Sequence, residues 1–416
     1  MEALTAAGLA TLAGVSEAEV ARMTDLGILV PRDGPAPFRV GDLQKIRLAV
    51  ACERAGLPMD GIAAAVRAGR LSFAFLEAAP YHRFGVPTDR TYRQISQETG
   101  ISLEALRECL EAAGFAWTSP DDAVRDDELE VVPLIDLGIS SGVVDRRWMA
   151  RVGRGYAEGM RLAARVENEA YRARFEEPVL ASGLGQRETM EQASALAARF
   201  VPLVDRALMA IFRHQQELLW TEHQVLNIEA ALEAEGALSR PGRVPAMCFL
   251  DLAGYTRLTE ERGDQAAAEL AGTVAVLVER MARVHRGTAV KWLGDGVMLH
   301  FPDPVEAVAA ALEAVERLPA AGLPPAHVGV AAGPVVVQGG DYFGRTVNLA
   351  ARLAARAQAG QVLATAPVAE AAAVDGVAWT ELGELKLKGF AAPVRVLAAR
   401  RAVNRARGSA GPASTR

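Results

Sequence analysis

The texture of the chain changes at Glu235-Gly236-Ala237-Leu238-Ser239-Arg240-Pro241-Gly242. Upstream, apolar residues recur at helical spacing, interrupted by short Gly- and Ser-marked turns. Downstream, short apolar runs alternate with amphipathic helical segments. Gly236 supplies a helix C-cap and Pro241-Gly242 a linker. A chain of this kind folds as a multidomain protein, an all-α N-terminal half followed by an α+β half. Its 416 residues suffice for two or three domains, each with its own core.

Composition removes several function classes. The formal net charge of −6 gives no general attraction to nucleic acid or anionic membrane. Cys52, Cys109 and Cys248 lie far apart, without metal-ligand spacing. An odd, sparse count fits a reducing, cytoplasmic compartment. No run of about 18 apolar residues occurs, so no transmembrane helix is expected. Met1-Glu2-Ala3-Leu4 lacks the basic start of a signal peptide. Lysine stands only at Lys45, Lys291, Lys386 and Lys388, against 41 arginines. A lysine kept in so arginine-rich a chain marks a place where a compact ammonium is wanted.

Within the helical half, Gly14-Val15-Ser16 and Gly100-Ile101-Ser102 each read as a turn followed by a Ser-capped helix. The first segment resembles a winged helix-turn-helix domain of the MerR type. Residues 1–70 hold eight basic and eight acidic side chains, so the phosphate-neutralising footprint is missing and DNA binding is not expected. Long helices are expected at about 145–178 and 188–234. The expected domains are 1–80, MerR-like; 81–187, a helical regulatory domain; 188–243, a long linker helix and linker; 244–400, the α+β domain; and 401–416, a disordered tail.

Two carboxylates interrupt apolar runs in the α+β half. Asp251 lies in Met247-Cys248-Phe249-Leu250-Asp251-Leu252-Ala253-Gly254-Tyr255-Thr256, and Asp295 in Lys291-Trp292-Leu293-Gly294-Asp295-Gly296. Burying a carboxylate is costly unless something pairs with it. Taken singly, Asp251 is explained as a cap after a strand and Asp295 as a hairpin turn residue. Taken as a pair, they suit divalent cations at a phosphoryl- or nucleotidyl-transfer site. Expected elements are a strand at about 245–251, a turn leading to a helix at 263–286, a strand pair at 288–301 and a helix at 304–317. A strand at 326–338, a helix at 346–357 and strands at 361–365 and 391–399 around a helix at 367–373 complete a ferredoxin-like mixed sheet.

Four segments of this half, in order, resemble the class III nucleotidyl cyclases. They are Phe249–Thr256, Lys291–Gly296, Asp341-Tyr342-Phe343-Gly344-Arg345-Thr346-Val347-Asn348-Leu349-Ala350-Ala351-Arg352, and Leu387-Lys388-Gly389-Phe390. Tyr255, Arg345 and Ala351 depart from common residues of that pattern. The resemblance implies that Asp251, Asp295 and the Leu252 carbonyl hold two Mg²⁺ or Mn²⁺ per site. It implies that Ala253, Gly254, Tyr255 and Thr256 cradle phosphates, with Lys388 on the triphosphate. Asn348 would orient the ribose and Arg352 would stabilise charge on the α-phosphate, the two sharing a helix face. A Lys291 donor and an Asp341 acceptor match adenine in polarity, which selects ATP. Such sites straddle a head-to-tail homodimer.

With its helical N-terminal half, the chain resembles autoregulated soluble cyclases of actinobacteria, some of which respond to pH. His214 and His223 lie on the expected linker helix, and histidine is the residue type suited to sensing pH. The expected activity is an adenylate cyclase forming 3′,5′-cyclic AMP and pyrophosphate. A DNA-binding regulator and a non-catalytic, nucleotide-sensing dimerisation module are the alternatives.

Overall fold

The computed structural model describes residues 3–77, 84–238, 244–374 and 376–402. Part of the expected linker and nearly all of the expected C-terminal tail lie outside the described residues. Two compact units result, Met1–Leu226 and Asn227–Arg416.

In the first unit, Gly14 takes φ 66° as the C-cap of helix Ala6–Ala13. Ser16 and Glu19 then close a capping box on helix Glu17–Asp25. The following loop ends in Phe38–Arg39, which pairs with Ala3–Leu4. Helices Val40–Arg54 and Met59–Arg67 complete a core around Leu9, Met23, Ile28, Leu43 and Ile46. Arg22, the one base on its helix, gives its guanidinium to Glu53 at 2.9–3.1 Å. Lys45 is buried against Asp42 at 2.9 Å, a structural use of one scarce lysine. A second core around Ile95, Leu106, Leu110 and Ile135 lies beside a short ribbon, Pro87–Thr91 with Ala123–Arg125.

Both long helices differ from expectation. The first runs as Arg146–Tyr171, widens to a π-helical turn at Arg172–Glu176, and ends with Glu177–Ala181. Pro178 cannot donate to the carbonyl four residues back and crowds it, which the wider turn relieves. The second divides into Gln186–Ala197 and Val201–Ala234. Pro202 is tolerated only in a first helical turn, so it sets the restart.

The second unit is α+β of the ferredoxin-like kind. Among the described residues its main sheet has seven strands, ordered Val377–Leu385, Val394–Arg401, Val362–Thr365, Ala326–Ala332, Ala246–Leu252, Gly296–Phe301 and Thr288–Leu293. Among the described residues only the Val362–Thr365 and Ala326–Ala332 pair is parallel. Helices Asp264–Val284, Pro304–Ala320 and Ala366–Ala371 cover one face, over Val274, Leu299, Phe301 and Leu312. Helix Arg345–Ala354 covers the other through Val347, Leu349, Ala350 and Leu353.

Three expectations are corrected here. The strand read at 326–338 stops at Ala332, where Gly333 (φ 150°) and Pro334 turn the chain. Val336–Gln338 instead pairs with Asp341–Phe343 as a separate ribbon. Val377–Leu385 is a strand that was not expected, because a register shift between Glu381 and Gly383 spoils its alternation. The turn ahead of residue 263 is itself a helix, Tyr255–Arg262.

Candidate active site

Strand alternation decides where Asp251 points. Ala246, Cys248, Leu250 and Leu252 enter the core beneath the two long helices. Met247, Phe249 and Asp251 therefore take the opposite face. Asp251, the next-to-last residue of the strand, is half exposed, its side chain 46% accessible. Gly296 abuts it closely, since a Cβ there would lie 2.9 Å from Asp251 Oδ1. Asp295 occupies the two-residue turn just before Gly296, after Gly294 at φ 69°. Burial, then the negative charge of Asp295, raise the Asp251 carboxyl above the usual carboxylate range, against opposing pulls from His327 and the Leu252 N–H.

Ionising this pair without a counter-cation is unfavourable, and a cation would relieve it. Among the described residues no group of three or more His, Cys, Asp and Glu gathers as a metal cluster. Two carboxylates with backbone and substrate oxygens are what Mg²⁺ takes, because it keeps waters and binds through one or two carboxylates plus phosphates. Leu252 is buried and pairs with Ala326 at the end of the strand.

Gly254 at φ 78° opens helix Tyr255–Arg262, whose first N–H groups lack intrahelical acceptors. Ala253 does not join that cradle, because its N–H donates to the Pro325 carbonyl at 2.8 Å. The Tyr255 hydroxyl donates to the Ala267 carbonyl at 2.9 Å, fixing the short helix against the next. Thr256 is exposed at the first turn.

Lys291 Nζ donates to Asp341 Oδ2 at 2.9 Å. Burial opposes the charge on Asp341, but hydrogen bonds from Lys291 and the Tyr342 N–H, with the lysine charge, hold its carboxyl below the usual range. The lysine is half exposed, and such ion pairs are worth about 0–1 kcal/mol. A ligand offering complementary donors and acceptors can therefore replace either partner.

Asn348 and Arg352 are exposed on one face of helix Arg345–Ala354. That helix lies tight on the sheet because Gly329 has no side chain. A Cβ there would meet Ala354 N at 2.2 Å and Ala350 O at 2.3 Å. Lys388 is exposed in the loop between Val377–Leu385 and Val394–Arg401. Arg345 stacks over Phe390 of that loop, 5.4 Å from the ring centre.

The chain thus brings together Asp251 with Asp295, Lys291 with Asp341, and Asn348 with Arg352. No described ion pair or hydrogen bond joins these three pairs to one another or to Lys388. His327, absent from the sequence-based set, links the first pair to the helix of the third. Its Nδ1 is 2.9 Å from the Ala354 carbonyl, an acceptor, so that nitrogen donates. Its Nε2 lies 3.5 Å from Asp251 Oδ2. The only signal in the sequence is a histidine inside the apolar run Ala326–Ala332.

No family model matches the chain. A pH-sensitive adenylate cyclase of Mycobacterium tuberculosis is 31% identical over 79% of this chain and 83% of its own length. An adenylate cyclase of Streptomyces coelicolor is 26% identical over 67% of this chain and 70% of its own. The crystal structure of the adenylyl cyclase CyaB from P. aeruginosa aligns at a TM-score of 0.35 and 24% identity, covering 38% of this chain and 95% of that one. With nearly a third of residues identical to the mycobacterial enzyme over most of both chains, the protein belongs to the class III adenylate cyclases.

Proposed function

We propose that the protein converts ATP to 3′,5′-cyclic AMP and pyrophosphate at sites shared between two copies of the chain. The observation that carries this reading is the Asp251–Asp295 pair, two mutually repelling carboxylates at the mouth of the sheet. When bound, Mg²⁺ or Mn²⁺ would neutralise the triphosphate and acidify the ribose 3′-hydroxyl. Asp251 and Asp295 hold the ions, with the Leu252 carbonyl as a further ligand.

The remaining residues position ATP and balance charge. Lys291 donates to adenine N1, and Asp341 accepts from the exocyclic amine. Asn348 holds the ribose so that its 3′-oxygen lies in line with the α-phosphorus. As that oxygen attacks and pyrophosphate leaves, Arg352 stabilises the charge growing on the α-phosphate. Lys388 and the N–H groups of Gly254, Tyr255 and Thr256 bind the departing phosphates.

A head-to-tail homodimer supplies both halves of each site. The absence of any described hydrogen bond or ion pair among the Asp251–Asp295, Lys291–Asp341 and Asn348–Arg352 pairs is compatible with this arrangement. The N-terminal unit would regulate the site through helix Val201–Ala234, which exposes His214 and His223. pH is the proposed signal, since the mycobacterial relative is described as pH-sensitive. Against DNA binding stands the engagement of Arg22 by Glu53.

Cyclic AMP formation by the purified chain with Mn²⁺ and ATP tests the activity. Asp251→Ala is expected to lower it by about 100-fold or more. Absence of product from the wild type would overturn the reading.

A further inference from the structure

Asp341 sits on the narrow ribbon Val336–Gln338/Asp341–Phe343, outside the seven-stranded sheet. A two-stranded ribbon is marginal alone and takes its position from what it packs against. Both oxygens of the Asp341 carboxylate are engaged. Oδ2 accepts from Lys291 Nζ and Oδ1 from the Tyr342 N–H, each at 2.9 Å. The placement of Asp341 is therefore set by the placement of Tyr342.

The Tyr342 ring stacks on His300, with centroids 4.6 Å apart and planes at 24°. His300 belongs to the main sheet, opposite Met247 and Thr288. Two positions before it on the same strand face, Met298 pairs with Lys291. One patch of sheet thus carries Lys291 directly and Asp341 through the Tyr342–His300 stack. His300 is neutral near pH 7, burial having pushed it down to about 4, so the stack is one of two uncharged rings.

Resting on the adenylate cyclase reading, we infer that His300 is a specificity-determining positioning residue. Through Tyr342 it holds Asp341 in register with Lys291, so that the pair meets the adenine edge and rejects the guanine edge. His300 itself touches no reacting atom. Guanine presents the opposite polarity, so the cost of a displaced Asp341 falls on ATP first.

The test uses the full chain with Mn²⁺, comparing ATP and GTP in turnover and in equilibrium binding. Variants are His300→Leu, Tyr342→Leu, their double, and the ring-keeping His300→Phe and Tyr342→Phe. Each leucine variant is expected to lower the ATP-to-GTP ratio of kcat/KM by about three- to tenfold, the range of one aromatic pair. The loss should fall on KM for ATP, with kcat within about twofold. The double variant should lose no more than the larger single loss, and both ring-keeping variants should hold the wild-type ratio. An unchanged ratio, a loss confined to kcat, or additive losses would overturn the inference. Should the wild type bind ATP without turning it over, the cyclase reading fails. The binding ratios then decide the role of His300 by the same criteria.

Discussion

Asp251 is a residue whose charged form is unfavourable to the fold and which the proposed reaction needs. Its carboxyl is raised by burial and by Asp295, so folding disfavours the charged form. The penalty enters as pH climbs from the unfolded pKa through the raised folded one. Asp251→Asn should therefore raise the apo-protein's thermal midpoint while abolishing activity. The gain is a few tenths to about 1 kcal/mol, given the solvent exposure, and calorimetry in EDTA reads it. His300 has the opposite shift, from 6.5 down to about 4. Between those values the unfolded chain takes up a proton that the folded one refuses. Stability should be lost as pH drops from about 6.5 to about 4, by at most roughly 3 kcal/mol. Denaturant titrations on His300→Phe should show a flatter profile. The residues that the sequence offers for the proposed site all lie in motifs: Asp251, Asp295, Lys291, Asp341, Asn348 and Arg352. His327 and His300 lie in none, because their contacts run across the sheet and to the ribbon and leave no local spacing.

Helix Arg345–Ala354 and the strand beneath it behave as one part because Gly329 lets their backbones meet. Gly329→Ala adds a methyl where no space exists, and overpacking of this kind costs about 1–3 kcal/mol. Activity is expected to fall by at least about tenfold although no chemical group is lost, since Asn348 and Arg352 are lifted off the sheet. Thermal melts and turnover on the same sample check both effects. At this scale the sequence was read well where one residue type dominates. The Gly294-Asp295 hairpin and the Ser16 capping box form as their residues require. It was read less well where a proline acts on neighbours. Pro202 divides one expected helix, Pro178 accompanies a π-helical turn, and Pro334 follows the end of a strand. Val377–Leu385 escaped notice because its register shift breaks the period-two signal.

For the whole molecule, shared sites predict complementation. Asp251→Asn and Arg352→Ala should each be inactive alone. Mixed in equal amounts and allowed to exchange, half the dimers are heterodimers, each with one intact site of two. Recovered activity should approach about a quarter of wild type. A site complete within one chain would recover none. Thr288–Leu293 is the outermost strand of the sheet, and Lys291 is its one charged residue. An unguarded edge strand recruits other chains, and a charge is among the commonest guards. Exchanging Lys291 for glutamate would invert the polarity offered to a base yet keep the edge charged. An apolar exchange would leave Thr-Ala-Val-x-Trp-Leu as an adhesive segment. An apolar exchange at Lys291 would therefore expose a sticky sheet edge as well as remove the proposed base-reading donor.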